Sequence, residues 1–192
     1  MGQPKLLLTL GGETVISLIL RTFRIPEIAE TVVVVRQDDE PLRAAASREG
    51  ATVVQPPQDP PDMRTSVSHA LDAIARRWNP NPHDGWLLSP ADHPALNPEL
   101  IRSLTQRWQQ TDNSILAPVQ DGRRGHPTVF AWSLAAEIAG IPEGQGLNWL
   151  LKRHQIEEWP VECSGIFDDL DTPSDYARLQ AQWEGRLRDR LP

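Results

Sequence analysis

The chain has 192 residues, which fits a single domain, and 26 acidic against 19 basic residues give it a net charge of −7. This balance disfavours a protein that coats a phosphate backbone, because that task needs clustered Lys and Arg. Hydrophobic residues make up 39% and charged residues 23% of the chain, as in globular proteins. The apolar runs are too short to span a bilayer. The sequence does not begin with a recognisable secretory signal. The lone Cys163 excludes an internal disulfide and a Cys-rich zinc site. We therefore expect a cytoplasmic enzyme-sized domain without nucleic-acid or membrane partners.

Predicted strands and helices alternate along most of the chain. Residues 1–5 look like a loop, and no strand is predicted before them. The first elements in chain order are helix 13–23, strand 31–36, helix 42–49, strand 51–55, helix 64–78, strand 85–89 and helix 97–110. The later ones are strands 114–117 and 128–132, helices 133–139 and 147–154, an extended segment 157–162, and a last helix that opens at 172–174. The compact strand–helix–strand unit over 31–55 predicts parallel strands, and thus an α/β fold with a mostly parallel sheet and helices on both faces.

Acidic side chains follow or precede predicted elements at two places. Asp92 comes three residues after a buried strand, where a carboxylate is well placed to hold Mg²⁺ against a phosphate. Asp169 and Asp171 lie in a run of aspartates without Lys or Arg and can aim at a shared divalent cation. The alternatives are a turn or cap for Asp92 and a cap of the last helix for Asp171.

The segment 122–130 (GRRGHPTVF) combines cations with a constrained turn. Arg123 and Arg124 can hold a phosphate in fork geometry, Gly125 allows a ligand to approach the backbone, and Pro127 fixes the entry into a strand. The same residues also fit an ordinary hairpin turn.

Two further positions can serve a nucleotide. Lys5 lies in a loop where a mobile ammonium can neutralise phosphates. Thr65 and Ser66 open a helix whose free amides can face an anion. The alternatives are a solvated lysine and a plainly capped helix.

Five segments, taken in order, resemble the MobA-like nucleotidyltransferases, and within them the molybdenum cofactor cytidylyltransferases. These segments are MGQPKLLL (1–8), MRTS (63–66), PADHP (90–94), GRRGHP (122–127) and DLDTP (169–173). The resemblance implies a Rossmann-like three-layer sandwich of the nucleotide-diphospho-sugar transferase type. It also implies that a nucleotide, CMP from CTP or else GMP from GTP, is transferred to molybdopterin or its molybdenum-loaded form, and that pyrophosphate is released. A molybdoenzyme would then receive the finished cofactor.

The same resemblance assigns roles to residues. Lys5 and Asp92 would be catalytic, and Mg²⁺ or Mn²⁺ would be the cofactor. The implied nucleotide-binding residues are Gly2, Lys5, Thr65 and Ser66; the acceptor-binding ones are Arg124, Gly125, His126 and Pro127; and the metal ligands are Asp92, Asp169 and Asp171.

The chain also departs from the family pattern. Family members carry a strand and a stretch LAAGxSxR directly before the Met-Gly pair, so 1–192 is expected to be one domain without its first strand and glycine-rich loop, and a slow catalyst. Asp62 and Thr65 replace a usual Gly and Ser. Two other functions remain open: a metal-dependent sugar transferase, since Asp169 and Asp171 also form a DxD motif, and a non-catalytic protein that binds the molybdenum cofactor.

Overall fold

The computed structural model describes residues 4–188, with side chains as far as residue 185. Its strands are β1 (Thr9–Leu10), β2 (Glu13–Thr14), β3 (Val32–Val34), β4 (Thr52–Val54), β5 (Gly85–Leu88), β6 (Ile115–Gln120), β7 (Arg123–Arg124), β8 (Thr128–Ala131) and β9 (Ile156–Pro160). Its α-helices are α1 (Val15–Thr22), α2 (Glu40–Arg48), α3 (Met63–Trp78), α4 (Pro98–Trp108), α5 (Asn148–Leu151) and α6 (Pro173–Arg188). Short 3-10 helices cover Lys5–Leu7, Trp132–Gly140 and Ser164–Phe167. No described helix is long and apolar enough to cross a membrane.

The longer helices begin where a side chain can accept a hydrogen bond from a free backbone amide. The capping residues of α1 to α4 are Thr14, Asp39, Asp62 and Asn97, and each accepts from the amide three residues further on. Gly50 follows α2 with φ +79° and ends it, because glycine adopts the left-handed conformation without a Cβ penalty. These local signals explain why α2, α3 and α4 lie within two residues of their predicted bounds.

The parallel strand–helix–strand unit is confirmed. β3 pairs with β4 in parallel, with Val32 opposite Thr52 and Val34 opposite Val54, and α2 forms the crossover. Within the described residues, no strand pairing joins this unit to the larger sheet.

The larger sheet is mixed, which corrects the prediction of a mostly parallel one. β8 lies between β5 and β6 and runs antiparallel to both, whereas β9 runs parallel to β6 along its other edge. The chain reverses its direction after β6 in a tight hairpin that leads into β7. In this hairpin, Asp121 and Gly122 have φ of 53° and 73°. Two consecutive positive φ values are typical of the type I′ turn, so the hairpin reading of this segment is confirmed.

Apolar cores on the two faces of this sheet confirm the layered α/β fold. Trp86, Phe130 and Ile115 form one cross-strand row, which packs against α3 and the Trp132–Gly140 segment. The next row, Leu87, Val129 and Leu116, lies on the opposite face and packs against α1, α2 and α4. Neighbouring residues of a strand point to opposite faces, so a short strand can supply both cores.

Residues 125–127 form a bulge in the sheet edge. Along β6, the step from Leu116 to Val119 covers three residues, whereas their partners Val129 and Arg124 are five residues apart on the opposing chain. The two extra residues interrupt the ladder. The Gly125 amide still donates to the Pro118 carbonyl of β6, whereas the His126 amide donates to the Ile166 carbonyl instead of to β6.

Candidate active site

The centre of the site is an ammonium group shared by two carboxylates. Lys5 Nζ lies 2.6 Å from Asp92 Oδ2 and 2.9 Å from Asp171 Oδ1. These aspartates are 87 and 166 positions from Lys5 along the chain. We call these three residues the Lys5 centre.

Backbone contacts hold the two acidic segments together. The Leu170 amide donates to the Asp92 carbonyl over 3.0 Å. Leu170 is fully buried in a cluster with Leu10 and Leu179, so α6 and the β1–β2 hairpin fix this segment by apolar packing. With Leu170 pointing inward, the flanking Asp171 side chain is 61% exposed, while that of Asp92 is only 19% exposed.

The charges of the Lys5 centre do not balance. Burial disfavours the charged form of Lys5, but hydrogen bonds and Coulomb attraction to Asp92 and Asp171 outweigh this and raise its pKa above the usual 10.5. One positive charge thus faces two carboxylates, and Asp92 Oδ1 is buried without a hydrogen-bond partner among the described residues. An orphaned buried carboxylate oxygen is costly and suits a site that receives a cation or a donor group.

Two histidines lie beside the Lys5 centre. The rings of His93 and His126 meet edge to face with centroids 5.4 Å apart, and His93 Nε2 is 3.9 Å from Asp92 Oδ1. Both Nδ1 atoms are buried and lack a hydrogen-bond partner within the described part of the chain. Burial, with a smaller effect of His93, lowers the pKa of His126 below 6.5, so its ring is neutral at pH 7.

Two glycines allow the surrounding segments to approach this closely. A Cβ on Gly125 would lie 2.6 Å from Ile166 Cβ, and a Cβ on Gly165 would lie 2.3 Å from the Ala95 carbonyl oxygen. The His126 amide also donates to the Ile166 carbonyl over 3.1 Å. The bulge is therefore fastened to the segment that leads into Asp171.

The two arginines before the bulge have different neighbours. The Arg123 guanidinium carbon lies 4.6 Å from the centroid of the Phe167 ring, whereas Arg124 Nε donates to Glu158 Oε1 over 2.7 Å. Successive strand residues point to opposite faces, which separates the two guanidiniums.

The polar groups in the first turn of α3 form hydrogen bonds with one another. Asp62 Oδ1 accepts both from the Thr65 amide and from the Thr65 hydroxyl, each over 2.7 Å, and the Ser66 hydroxyl donates to the Asp62 carbonyl. The predicted nucleotide contacts of Thr65 and Ser66 stay predictions, as does that of Gly2, which lies outside the described residues.

The structure therefore brings together some of the predicted site residues and not others. Lys5, Asp92, Asp171 and His126 converge, whereas the Asp169 side chain takes no part in the Lys5 contacts. His93 was not assigned a role from the sequence, although its position directly after Asp92 was the available signal. A cavity of about 340 Å³ opens elsewhere, between the ends of α1 and α2, and none of these residues lines it.

Divalent metal binding fits this donor set. No group of three or more His, Cys, Asp or Glu side chains among the described residues is arranged to enclose a metal ion. Mg²⁺ does not need such a cage, since it is commonly held by one or two carboxylates together with waters and substrate phosphates. Asp92 and Asp171, which already share one cationic group, are the residues that fit.

The fold and the site define a layered α/β domain with a charged polar centre, and comparison with known proteins gives the family. The model of the MobA-like NTP transferase domain matches residues 1–158, so the chain belongs to this family. The predicted family and the Rossmann-like α/β fold are thus confirmed.

Individual relatives agree with this assignment. The chain is 27% identical over 186 residues to the purine catabolism protein PucB of Bacillus subtilis (strain 168), covering 92% of this chain and 87% of PucB. The manganese complex of Rv0371c from Mycobacterium tuberculosis H37Rv superposes with a TM-score of 0.76 at 26% identity, over 94% of this chain and 93% of that one. Molybdopterin-guanine dinucleotide biosynthesis protein A from Archaeoglobus fulgidus shares the fold, with a TM-score of 0.66 at 20% identity over 96% and 92% of the two chains.

Proposed function

We propose that this protein transfers a nucleotide, CMP from CTP in preference to GMP from GTP, to the phosphate of molybdopterin and releases pyrophosphate. The observation that carries the proposal is the Lys5 centre, in which one ammonium faces two carboxylates and Asp92 keeps an orphaned buried oxygen. Such an excess of negative charge favours a divalent cation accompanied by a polyphosphate.

Asp92 and Asp171 would hold Mg²⁺ or Mn²⁺. When bound, the metal supplies neutralisation of phosphate charge. The manganese complex of Rv0371c supports a divalent ion in a protein of this fold.

Lys5 then acts on the nucleotide. In the reaction, an acceptor phosphate oxygen bonds to the α-phosphorus, and the bond from that phosphorus to the β-phosphate oxygen breaks. Pyrophosphate leaves with the negative charge, which the Lys5 ammonium neutralises. Its raised pKa keeps Lys5 charged throughout the neutral range.

The bulge forms the acceptor side. Gly125 and Pro127 set the position of His126, whose neutral ring and unpartnered Nδ1 offer a hydrogen-bonding group to the acceptor. His93 packs against this ring and links it to Asp92. An acceptor bound here would lie next to the Lys5 centre, as in-line transfer requires.

The test is pyrophosphate release from CTP and from GTP, with molybdopterin and either Mg²⁺ or Mn²⁺. Asp92→Asn should lower the rate at least 100-fold, and the exposed Asp112→Asn serves as the matched control with an unchanged rate. Release of a nucleoside diphosphate from a sugar nucleotide would favour the sugar transferase instead. Molybdopterin binding without turnover would favour the non-catalytic function.

A further inference from the structure

The two arginines of β7 differ in whether their charge is already matched. Arg124 donates to Glu158 over 2.7 Å, and Glu158 belongs to β9 on the other side of β6. A guanidinium that already holds a carboxylate must release it before it can bind another anion.

The Arg123 guanidinium is not paired with a carboxylate among the described residues, although several aspartates follow its neighbour Phe167 in the sequence. Phe167, under the Arg123 guanidinium, directly precedes the aspartate run, but Asp168 and Asp175 both pair with Arg178. In the described part of the chain, Arg123 forms no salt bridge. A guanidinium positioned by an aromatic ring retains N–H donors for a planar, bidentate contact with an anion.

The Arg123–Phe167 pair is adjacent to the proposed acceptor site. Arg123 lies three residues before His126, and Phe167 follows Ile166, to which the bulge is hydrogen-bonded. Beyond Phe167 the same segment reaches Leu170, whose amide is bonded to the Asp92 carbonyl. An anion bound by Arg123 would therefore stand at the border of the reaction centre.

We infer that Arg123, held on the ring of Phe167, binds the anionic group of the acceptor, and that Arg124 does not. This inference rests on the proposed function, because it assigns the acceptor to the bulge. It defines the acceptor class as a molecule with a phosphate or similar anion next to a planar ring, which can stack on the exposed Arg123 guanidinium that Phe167 holds in place.

Calorimetric titration with phenyl phosphate tests the inference, with inorganic phosphate and phenol as comparators. The wild-type protein should bind phenyl phosphate more tightly than either comparator. Arg123→Gln should weaken this binding about tenfold or more, since a charge-assisted contact is lost, while the matched Arg124→Gln variant should stay within about twofold. Phe167→Leu should lower the preference for phenyl phosphate over inorganic phosphate.

Equal losses in both arginine variants, or no phenyl phosphate binding by the wild-type protein, would overturn the inference. Both side chains are exposed, so we expect thermal melting curves like that of the wild-type protein. The pyrophosphate assay separates this inference from the proposed function. Arg123-dependent phenyl phosphate binding without any nucleotide transfer would overturn the proposed function alone. Transfer with the same KM for molybdopterin in Arg123→Gln would overturn the inference alone.

Discussion

Lys5 and the first turn of α3 were both predicted to contact the nucleotide, but the Lys5 centre and this turn differ in how fully their polar groups are satisfied. At the start of α3, one Asp62 oxygen takes the Thr65 amide and hydroxyl, so the exposed donors already have an acceptor. In the Lys5 centre, two carboxylates share one ammonium, and Asp92 Oδ1 has no partner among the described residues. A structural cap satisfies its own groups, whereas a binding site keeps some available for a ligand.

Replacing Lys5 should separate catalysis from metal binding. Lys5→Gln is expected to lower the rate of pyrophosphate release about 100-fold or more, because a charge that stabilises the transition state is lost. Without nucleotide, the same variant should bind Mn²⁺ about tenfold more tightly, since the competing ammonium is gone. Electron paramagnetic resonance of free Mn²⁺ measures the affinity. The chain's other lysine, the exposed Lys152, gives the control Lys152→Gln; a decrease in Mn²⁺ affinity in Lys5→Gln would contradict the assignment.

The neighbouring aspartates should differ in the same assay. Asp171→Asn is expected to weaken Mn²⁺ binding about tenfold, because Asp171 belongs to the Lys5 centre. Asp169→Asn should change it less than about twofold, since the Asp169 side chain makes no contact with Lys5. An equal effect of the two substitutions would show that both aspartates bind the metal, as the sequence alone predicted.

A methyl group on Gly125 should disturb the bulge without touching the Lys5 centre. Gly125→Ala places Cβ 2.6 Å from Ile166 Cβ, and the resulting overpacking should destabilise the protein by about 1–3 kcal/mol. Gly140→Ala is the control, because its added Cβ would lie more than 4 Å from every heavy atom outside its chain neighbours and its own helix backbone. Urea unfolding measures both variants. Equal stabilities would mean that the bulge is not held against Ile166 as described.

Removing the cap of α3 should have the smallest effect, confined to stability. Asp62→Ala is expected to lower the melting temperature by roughly 2–4 °C and to leave Mn²⁺ binding unchanged, with Asp62→Asn as a variant that still caps. Hydrogen bonds from Thr65 lower the pKa of Asp62 below its usual 3.8. The ionised Asp62 cap therefore stabilises the folded protein fully above pH 3.8, and this stabilisation is lost as the pH falls through the lowered pKa. The difference in melting temperature should therefore shrink below about pH 3.8. Tighter CTP binding by Asp62→Ala would support a nucleotide contact of this turn.

Local sequence determined most of the elements of this protein. The valine run of β3, Asp62 and Asn97 as caps and Gly50 after α2 act over a few residues, so their effect can be predicted without the fold. The motif order pointed to the family for the same reason, because each motif is a short contiguous segment.

Tertiary structure alone decided the direction of β8, the bulge at 125–127 and the composition of the Lys5 centre. The sequence predicted a strand at 128–132, but its antiparallel direction depends on its pairing with β5 and β6. Asp169 and Asp171 were equivalent in sequence, and the contact of Asp171 Oδ1 with Lys5 Nζ over 2.9 Å distinguishes them. The contacts of the Lys5 centre join residues 87 and 166 positions apart, and they depend on how the whole core packs rather than on any local propensity.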